Sequence, residues 1–203
     1  MELKRVVVTG LGAVTPIGND VQSFWQGLVN GTSGAADITK FDATNFKTQF
    51  ACEVKDFDVS QFLHRKESRK MDLFAQYAIA CSDEALADAG LDGEEPNVDH
   101  DRVGVIWGSG IGGFQTFMNE ALNFHESGGV PRFSPFFIPM MISDIAAGHI
   151  SIRHGFRGPN FCTVSACASG TNAMIDAFNY IRLGKAEVMV TGGSEAAITE
   201  GGI

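Results

Sequence analysis

Phe161-Cys162-Thr163-Val164-Ser165-Ala166-Cys167-Ala168-Ser169-Gly170 reads as a short β-branched strand that runs straight into a turn, with a cysteine on the turn and a helix behind it. Met174, Phe178 and Ile181 mark the expected inner face of that helix, and Gly184 closes it. A thiol at the first turn of a helix meets free backbone N–H groups and the positive end of the macrodipole, and both favour thiolate over thiol. The same N–H groups can hold the oxyanion of a tetrahedral intermediate. The small neighbours Ala166, Ala168, Ser169 and Gly170 leave room for an acyl group to approach. Most cysteines are inert core fillers. Cys81, on the apolar face of a helix, and Cys162, inside a strand, fit that description, and Cys52 has no special setting. Cys167 is the candidate nucleophile.

Outward from this elbow, strands and helices alternate. Val6 to Thr9 reads as a buried strand closed by glycine, and Asn19 or Asp20 caps a helix running to about Asn30. From Thr32 to Arg65 the pattern is irregular, with strand character around Phe50 to Val54 and a turn at Asp37. Asp72 to Ala89 is the strongest helix, with Leu73, Tyr77, Ala80, Cys81 and Ala85 on one face and Gly90 as its stop. A polar loop covers Leu91 to Asp101. Val103 to Trp107 is a second strand, and a helix from Phe114 to about Phe124 follows it. Glu126 to Pro139 is a Phe-rich loop, and Ile142 to Arg153 is helical in places. Glu187 to Thr191 forms a last strand before Gly192-Gly193. Alternation of this kind means an α/β fold with a substantially parallel sheet.

Two glycine clusters resemble nucleotide loops only superficially. In Gly10-Leu11-Gly12-Ala13-Val14-Thr15 the third glycine of a dinucleotide fingerprint is Thr15, and Pro16 stands where the phosphate-binding helix should be running. Gly108-Ser109-Gly110-Ile111-Gly112-Gly113 lacks the lysine of a P-loop. A tight turn and close backbone packing are the expected roles, with no cofactor.

Composition narrows the function. Of 203 residues 44% are hydrophobic, enough for a sizeable core. The net charge of -9 disfavours nucleic acid and anionic membrane as partners, since both repel an acidic protein. Four cysteines without a CxxC pair support neither a disulfide scaffold nor a zinc ribbon, so no metal is expected. No apolar run approaches a membrane span, and a cytoplasmic location is the expectation. Against the acidic background, Arg65, Lys66, Arg69 and Lys70 form a local basic patch with only Glu67 opposing.

Several segments together resemble the β-ketoacyl-[acyl-carrier-protein] synthases of the thiolase superfamily, the fatty-acid-elongating type II enzymes in particular. They are Val7 to Gly12 with Thr15-Pro16 and Gly18, Ser68-Arg69-Lys70-Met71-Asp72, Ser134-Pro135-Phe136-Phe137, Gly155 to Pro159, and Thr163 to Gly170. The resemblance implies a thiolase-like fold, with a mixed, mostly parallel sheet and helices on both faces. Residues 1–203 would form the amino-terminal half of a chain about twice as long. It implies that Cys167 takes an acyl chain from acyl carrier protein, and that a malonyl-derived carbanion then attacks the thioester. Two histidines and a lysine for that step belong to the family's second half. His64, His100, His125, His149 and His154 match none of those motifs, and His149 and His154 are read as structural. The resemblance also makes Arg65, Lys66, Arg69 and Lys70, extended by Arg132, a docking patch for acidic acyl carrier protein. It assigns Ile111, Phe136 and Phe137 to the acyl pocket and implies a homodimer. A coenzyme A-dependent thiolase, a type I synthase, a polyketide ketosynthase and a catalytically incomplete half are the rival readings.

Overall fold

The computed structural model describes residues 3–92 and 98–203. In chain order the elements are α1 (Val21–Val29), β1 (Ala36–Asp37), β2 (Phe50–Ala51), α2 (Arg65–Ser68), α3 (Leu73–Asp88), β3 (Val103–Gly108), α4 (Phe114–Glu126), α5 (Phe137–Met141), α6 (Ile145–His154), β4 (Asn160–Thr163), α7 (Ser169–Arg182) and β5 (Val188–Gly193). Strands β4, β3 and β5 form a wholly parallel sheet in that order, with Trp107 opposite Cys162 and Gly192. Antiparallel pairing among the described residues is confined to the β1–β2 ribbon and a bridge at Thr15 and Gly18.

Helices cover both faces, and β3 shows why. Its side chains alternate, so Val103, Val105 and Trp107 join α3 and α6 in the main core, whereas Ile106 points the other way to Ala173 and Ala177 of α7. Every residue of β3 is buried, as expected for a central parallel strand. The caps follow the sequence reading. Asp20 accepts from the Ser23 N–H to start α1, Asp72 starts α3, and Gly31, Gly90 and Gly184 adopt positive φ just past their helices.

Several expectations need correction. Val6 to Thr9 forms no strand, although its composition suits one. Its residues line one wall of a cleft of about 500 Å³ whose opposite wall is β5, and Val7 and Val8 are 58% and 80% exposed. Separated from β5 by that cleft, the segment has no ladder partner there. Asp37 lies in β1 rather than a turn, and only Phe50 and Ala51 of the Phe50 to Val54 stretch are paired, because β1 is two residues long. The expected Phe-rich loop ends early, because α5 begins at Phe137 and runs past Pro139 to Met141. Part of the Leu91 to Asp101 loop lies outside the described residues, and its end is a 3-10 turn at His100–Arg102.

Helix faces differ too. Leu73, Cys81 and Ala85 are only half-buried, while Phe74, Ala75, Ala78 and Ile79 are fully covered, because α3 is sandwiched rather than half-exposed. On α7 the sheet-facing residues are Ser169, Ala173 and Ala177. Met174 and Phe178 are exposed and line the cleft. No helix among the described residues is long and apolar enough to cross a membrane.

Candidate active site

Cys167 sits in a single 3-10 turn, Ala166–Ala168, between β4 and α7, and its side chain is exposed. The turn is sharp. Ala166 adopts φ 50, a left-handed conformation that costs a non-glycine residue about 1–2 kcal/mol. Local hydrogen bonds hold that geometry. Ser169 Oγ donates to the Ala166 carbonyl at 2.7 Å and accepts from the Ser165 N–H at 2.8 Å. Thr163 Oγ1 donates to the Ser169 carbonyl at 2.8 Å, and Asn172 Nδ2 donates to Ser165 Oγ at 2.6 Å. These bonds join residues up to seven apart across the turn, so apolar periodicity carries no sign of them.

Glycines let the elbow press on the sheet. A Cβ on Gly108 would overlap the Ser169 carbonyl and come within 2.5 Å of the Gly170 nitrogen, and one on Gly193 would stand 2.8 Å from Gly170 Cα. The second glycine cluster therefore serves close backbone packing, as expected. The first does likewise, since a Cβ on Gly10 or Gly12 would overlap carbonyls of α3.

The thiols divide by environment. Burial pushes the Cys81 thiol up to about 11 and also raises Cys162. Both are the inert, half-buried cysteines of the sequence reading. Cys167 is exposed, on a turn, at the head of a 14-residue helix.

The structure brings three of the predicted site segments together. Gly110 lies beside Ala166, since its Cβ would stand 3.4 Å from Ala166 Cα, so the loop carrying Ile111 abuts the elbow. The next two residues reach α5, where the Gly113 N–H donates to the Met141 carbonyl at 2.9 Å. On α5, Phe137 stacks between Phe117, 6.4 Å away, and Phe133, 5.7 Å away. Phe136, at the start of α5, lies under the Lys70 ammonium at 5.0 Å. Ile111 is 50% exposed and Phe136 39%. The 500 Å³ cleft lies elsewhere, along β5.

Arg65, Lys66, Arg69 and Lys70 are all exposed on and just after α2, and none forms an ion pair among the described residues. Asp72 anchors the end of this segment. Its buried carboxylate accepts from the Phe74 N–H, the Thr116 N–H at 3.1 Å and Thr116 Oγ1 at 2.6 Å, and so ties α3 to α4. Arg132 is exposed in the loop that leads to Phe136.

Three of the five histidines have structural partners. His64 caps α2, His100 Nδ1 bonds the Gly155 carbonyl at 3.1 Å, and His154 Nε2 pairs with Asp83 at 3.0 Å. Burial lowers the His149 pKa, and its Nε2 has no hydrogen-bond partner among the described residues. None of these contacts involves Cys167. No cluster of three or more metal-binding side chains occurs among the described residues.

Residues 3–203 match the family model "Beta-ketoacyl synthase, N-terminal domain". The chain is 50% identical over 199 residues to a 3-oxoacyl-[acyl-carrier-protein] synthase 2 of Synechocystis, covering 98% of this chain and 47% of that protein. It is 46% identical over 196 residues to the Staphylococcus aureus protein of the same name, again covering 47% of the relative. The chain thus spans about half the length of the curated relatives it matches. Among solved structures, the ishigamide ketosynthase/chain length factor superimposes with a TM-score of 0.88 at 26% identity, over 98% of this chain and 49% of that one. A β-ketoacyl synthase from Burkholderia phymatum gives 0.84 at 30% identity, over 98% and 48%. A type II polyketide ketosynthase solved with its acyl-carrier protein and a bound hexaketide gives 0.81 at 27%, over 98% and 53%. With its thiolase-like α/β fold and this match over nearly its whole length, the chain belongs to the β-ketoacyl synthase family.

Proposed function

We propose that this chain forms the nucleophile-bearing half of a 3-oxoacyl-[acyl-carrier-protein] synthase that elongates fatty acids. The observation that carries the reading is the exposed Cys167 on a strained strand-to-helix turn, beside the Ile111 loop. The Cys167 thiolate attacks the acyl thioester carried by acyl carrier protein. The tetrahedral intermediate collapses, the carrier's thiol leaves, and the acyl chain stays on Cys167. Malonyl-carrier protein then loses CO2, and the resulting carbanion attacks the Cys167 thioester. This releases the thiolate and a 3-oxoacyl chain two carbons longer. Residues 1–203 correspond to the amino-terminal half, and the proton chemistry of decarboxylation falls to a histidine pair and a lysine in the second half. No histidine contact described above reaches the thiol, which agrees with that division.

Arg65, Lys66, Arg69, Lys70 and Arg132 are the surface for the acidic carrier. Their freedom from ion pairs among the described residues supports this, because an unpaired basic patch steers an anionic partner despite net repulsion. Ile111, Phe136 and Phe137 wall the acyl chain. A homodimer would cover Phe124, Val130, Phe133 and Ile138, which are exposed around α4 and α5. A cytoplasmic location follows from a reaction between soluble carrier-bound substrates.

The rival with a specific observation is a polyketide ketosynthase, the kind of enzyme in one of the solved structures. Identities of 50% and 46% to 3-oxoacyl-[acyl-carrier-protein] synthases 2, against 27% to that one, favour fatty-acid elongation. The test is a condensation assay on the complete enzyme with acyl- and malonyl-carrier protein. One 3-oxoacyl product per turnover, abolished by Cys167→Ala, is expected. Product formation that survives Cys167→Ala contradicts the reading, and repeated extension to a polyketone favours the rival.

A further inference from the structure

Glu195 follows β5, and nothing in the chemistry above uses it. Its carboxylate gathers three donors from the loop after β3. Oε2 accepts from the Gly110 N–H at 2.6 Å and the Ile111 N–H at 3.2 Å, and Oε1 accepts from Ser109 Oγ at 3.2 Å. The buried Ser109 hydroxyl in turn accepts from the Gly112 N–H at 3.1 Å. One carboxylate therefore ties down four consecutive residues, three directly and one through a hydroxyl.

The post that carries this carboxylate is itself rigid. The Ser194 N–H donates to the Gly108 carbonyl at 3.1 Å. Ser194 Oγ accepts from Trp107 Nε1 at 2.9 Å and donates to the Phe74 carbonyl at 2.8 Å. The pinned loop is wedged between two fixed bodies. A Cβ on Gly110 would stand 2.9 Å from Glu195 Oε2 on one side and 3.4 Å from Ala166 Cα on the other. Hydrogen bonds between an ionised acceptor and N–H groups are about twice as strong as neutral ones. The loop thus has one position relative to the elbow, and Ile111 projects from it.

We propose that Glu195 is a positioning residue for acyl-chain selectivity, holding residues 109–112 so that Ile111 keeps one place beside the Cys167 turn. The inference rests on the proposed function, in which Ile111 walls the acyl chain. Without the carboxylate, the N–H groups of Gly110 and Ile111 turn to water. The wall then moves with the loop, while the elbow keeps its own bonds through Ser169, Thr163 and Asn172.

The test compares the complete enzyme with its Glu195→Ala, Glu195→Gln and Ser109→Ala variants. Three quantities are read: kcat/KM for hexanoyl and palmitoyl primers on acyl carrier protein, the rate of Cys167 alkylation by iodoacetamide, and the thermal midpoint. In Glu195→Ala the palmitoyl-to-hexanoyl ratio is expected to change by about tenfold, the scale on which a pocket wall discriminates chain methylenes. Alkylation should stay near the wild-type rate. Glu195→Gln retains an oxygen for both N–H groups and should restore most of the wild-type ratio. Ser109→Ala frees only one end of the loop and should shift the ratio part of the way, which keeps the question open to test if Glu195→Ala does not fold. An unchanged ratio in folded Glu195→Ala overturns the proposal, as does an unchanged ratio in Ser109→Ala where Glu195→Ala fails to fold. A fall in alkylation and in both primers together, in step with lost stability, also overturns it. A wild-type enzyme that takes neither primer onto Cys167 sinks the functional reading instead, so the two failures are distinct.

Discussion

Gly108→Ala should be among the most damaging single methyl additions available to this protein. Gly108 ends β3 where the sheet meets the start of α7, and the new Cβ would overlap the Ser169 carbonyl and lie 2.5 Å from the Gly170 nitrogen. Ordinary contact needs 3.4 Å or more, so something must shift by about 1 Å. Every atom in the way is backbone, and no flexible side chain can swing aside. Overpacking of this kind costs about 1–3 kcal/mol, and the rigid surroundings place Gly108→Ala near the upper end. The displaced residues hold the turn that carries Cys167. A misplacement of about 1 Å at a reacting group is worth on the order of a hundredfold in rate. Urea denaturation measures the first effect, and the rate of acyl transfer to Cys167 measures the second. Gly148→Ala is the internal comparison. It lies within α6, and its Cβ would meet only Ile145 Cδ1 at 3.9 Å, so helix propensity should make it stabilising by about 0.5–1 kcal/mol. If Gly108→Ala leaves both stability and transfer intact, the packing argument for the elbow is wrong.

Further outcomes follow from the same geometry. Ile111→Phe in the complete enzyme should shorten the preferred primer, because it adds bulk to the wall beside the elbow, and unchanged chain-length selectivity would remove Ile111 from the pocket. Reversing charge with Arg69→Glu and Lys70→Glu should raise KM for acyl carrier protein and flatten its salt dependence. A small acyl thioester should react as before, and equal losses on both substrates would argue against docking. His149 gives a pH dependence. Burial lowers its folded pKa, so the unfolded chain takes up the proton first as pH falls below about 6.5. Its contribution is therefore unfavourable to the fold in acid, and the thermal midpoint should drop from neutral pH toward pH of about 5. His149→Leu should lessen that drop, and the same slope in both proteins would refute the assignment.

Much of this architecture was legible because local rules and tertiary packing agree. The caps at Asp20 and Asp72, the stops at Gly31, Gly90 and Gly184, and the buried run of β3 are each written within a few residues. The failures have a common physical cause, which is contact with distant chain. Periodicity on α7 ranked Met174 and Phe178 as inward because they are large. With the Gly108, Gly170 and Gly193 backbones nearly touching, only small residues fit against the sheet, so Ala173 and Ala177 face inward. Val6 to Thr9 has strand composition, yet a strand needs a partner, and a cleft separates it from β5. The same holds for the site. Cys167 could be singled out from its neighbours in sequence, whereas Glu195 could not, since its donors Gly110 and Ser109 lie 85 and 86 residues earlier.

The central claim is that Cys167 carries the acyl chain, and intact-protein mass spectrometry tests it most directly. The complete enzyme would be incubated with palmitoyl-carrier protein alone, without malonyl substrate, and the adduct located by peptide mapping. A single palmitoyl mass on the peptide bearing Cys167, absent in Cys167→Ala, is the predicted result. No adduct, or one on Cys52, Cys81 or Cys162 instead, would contradict the account.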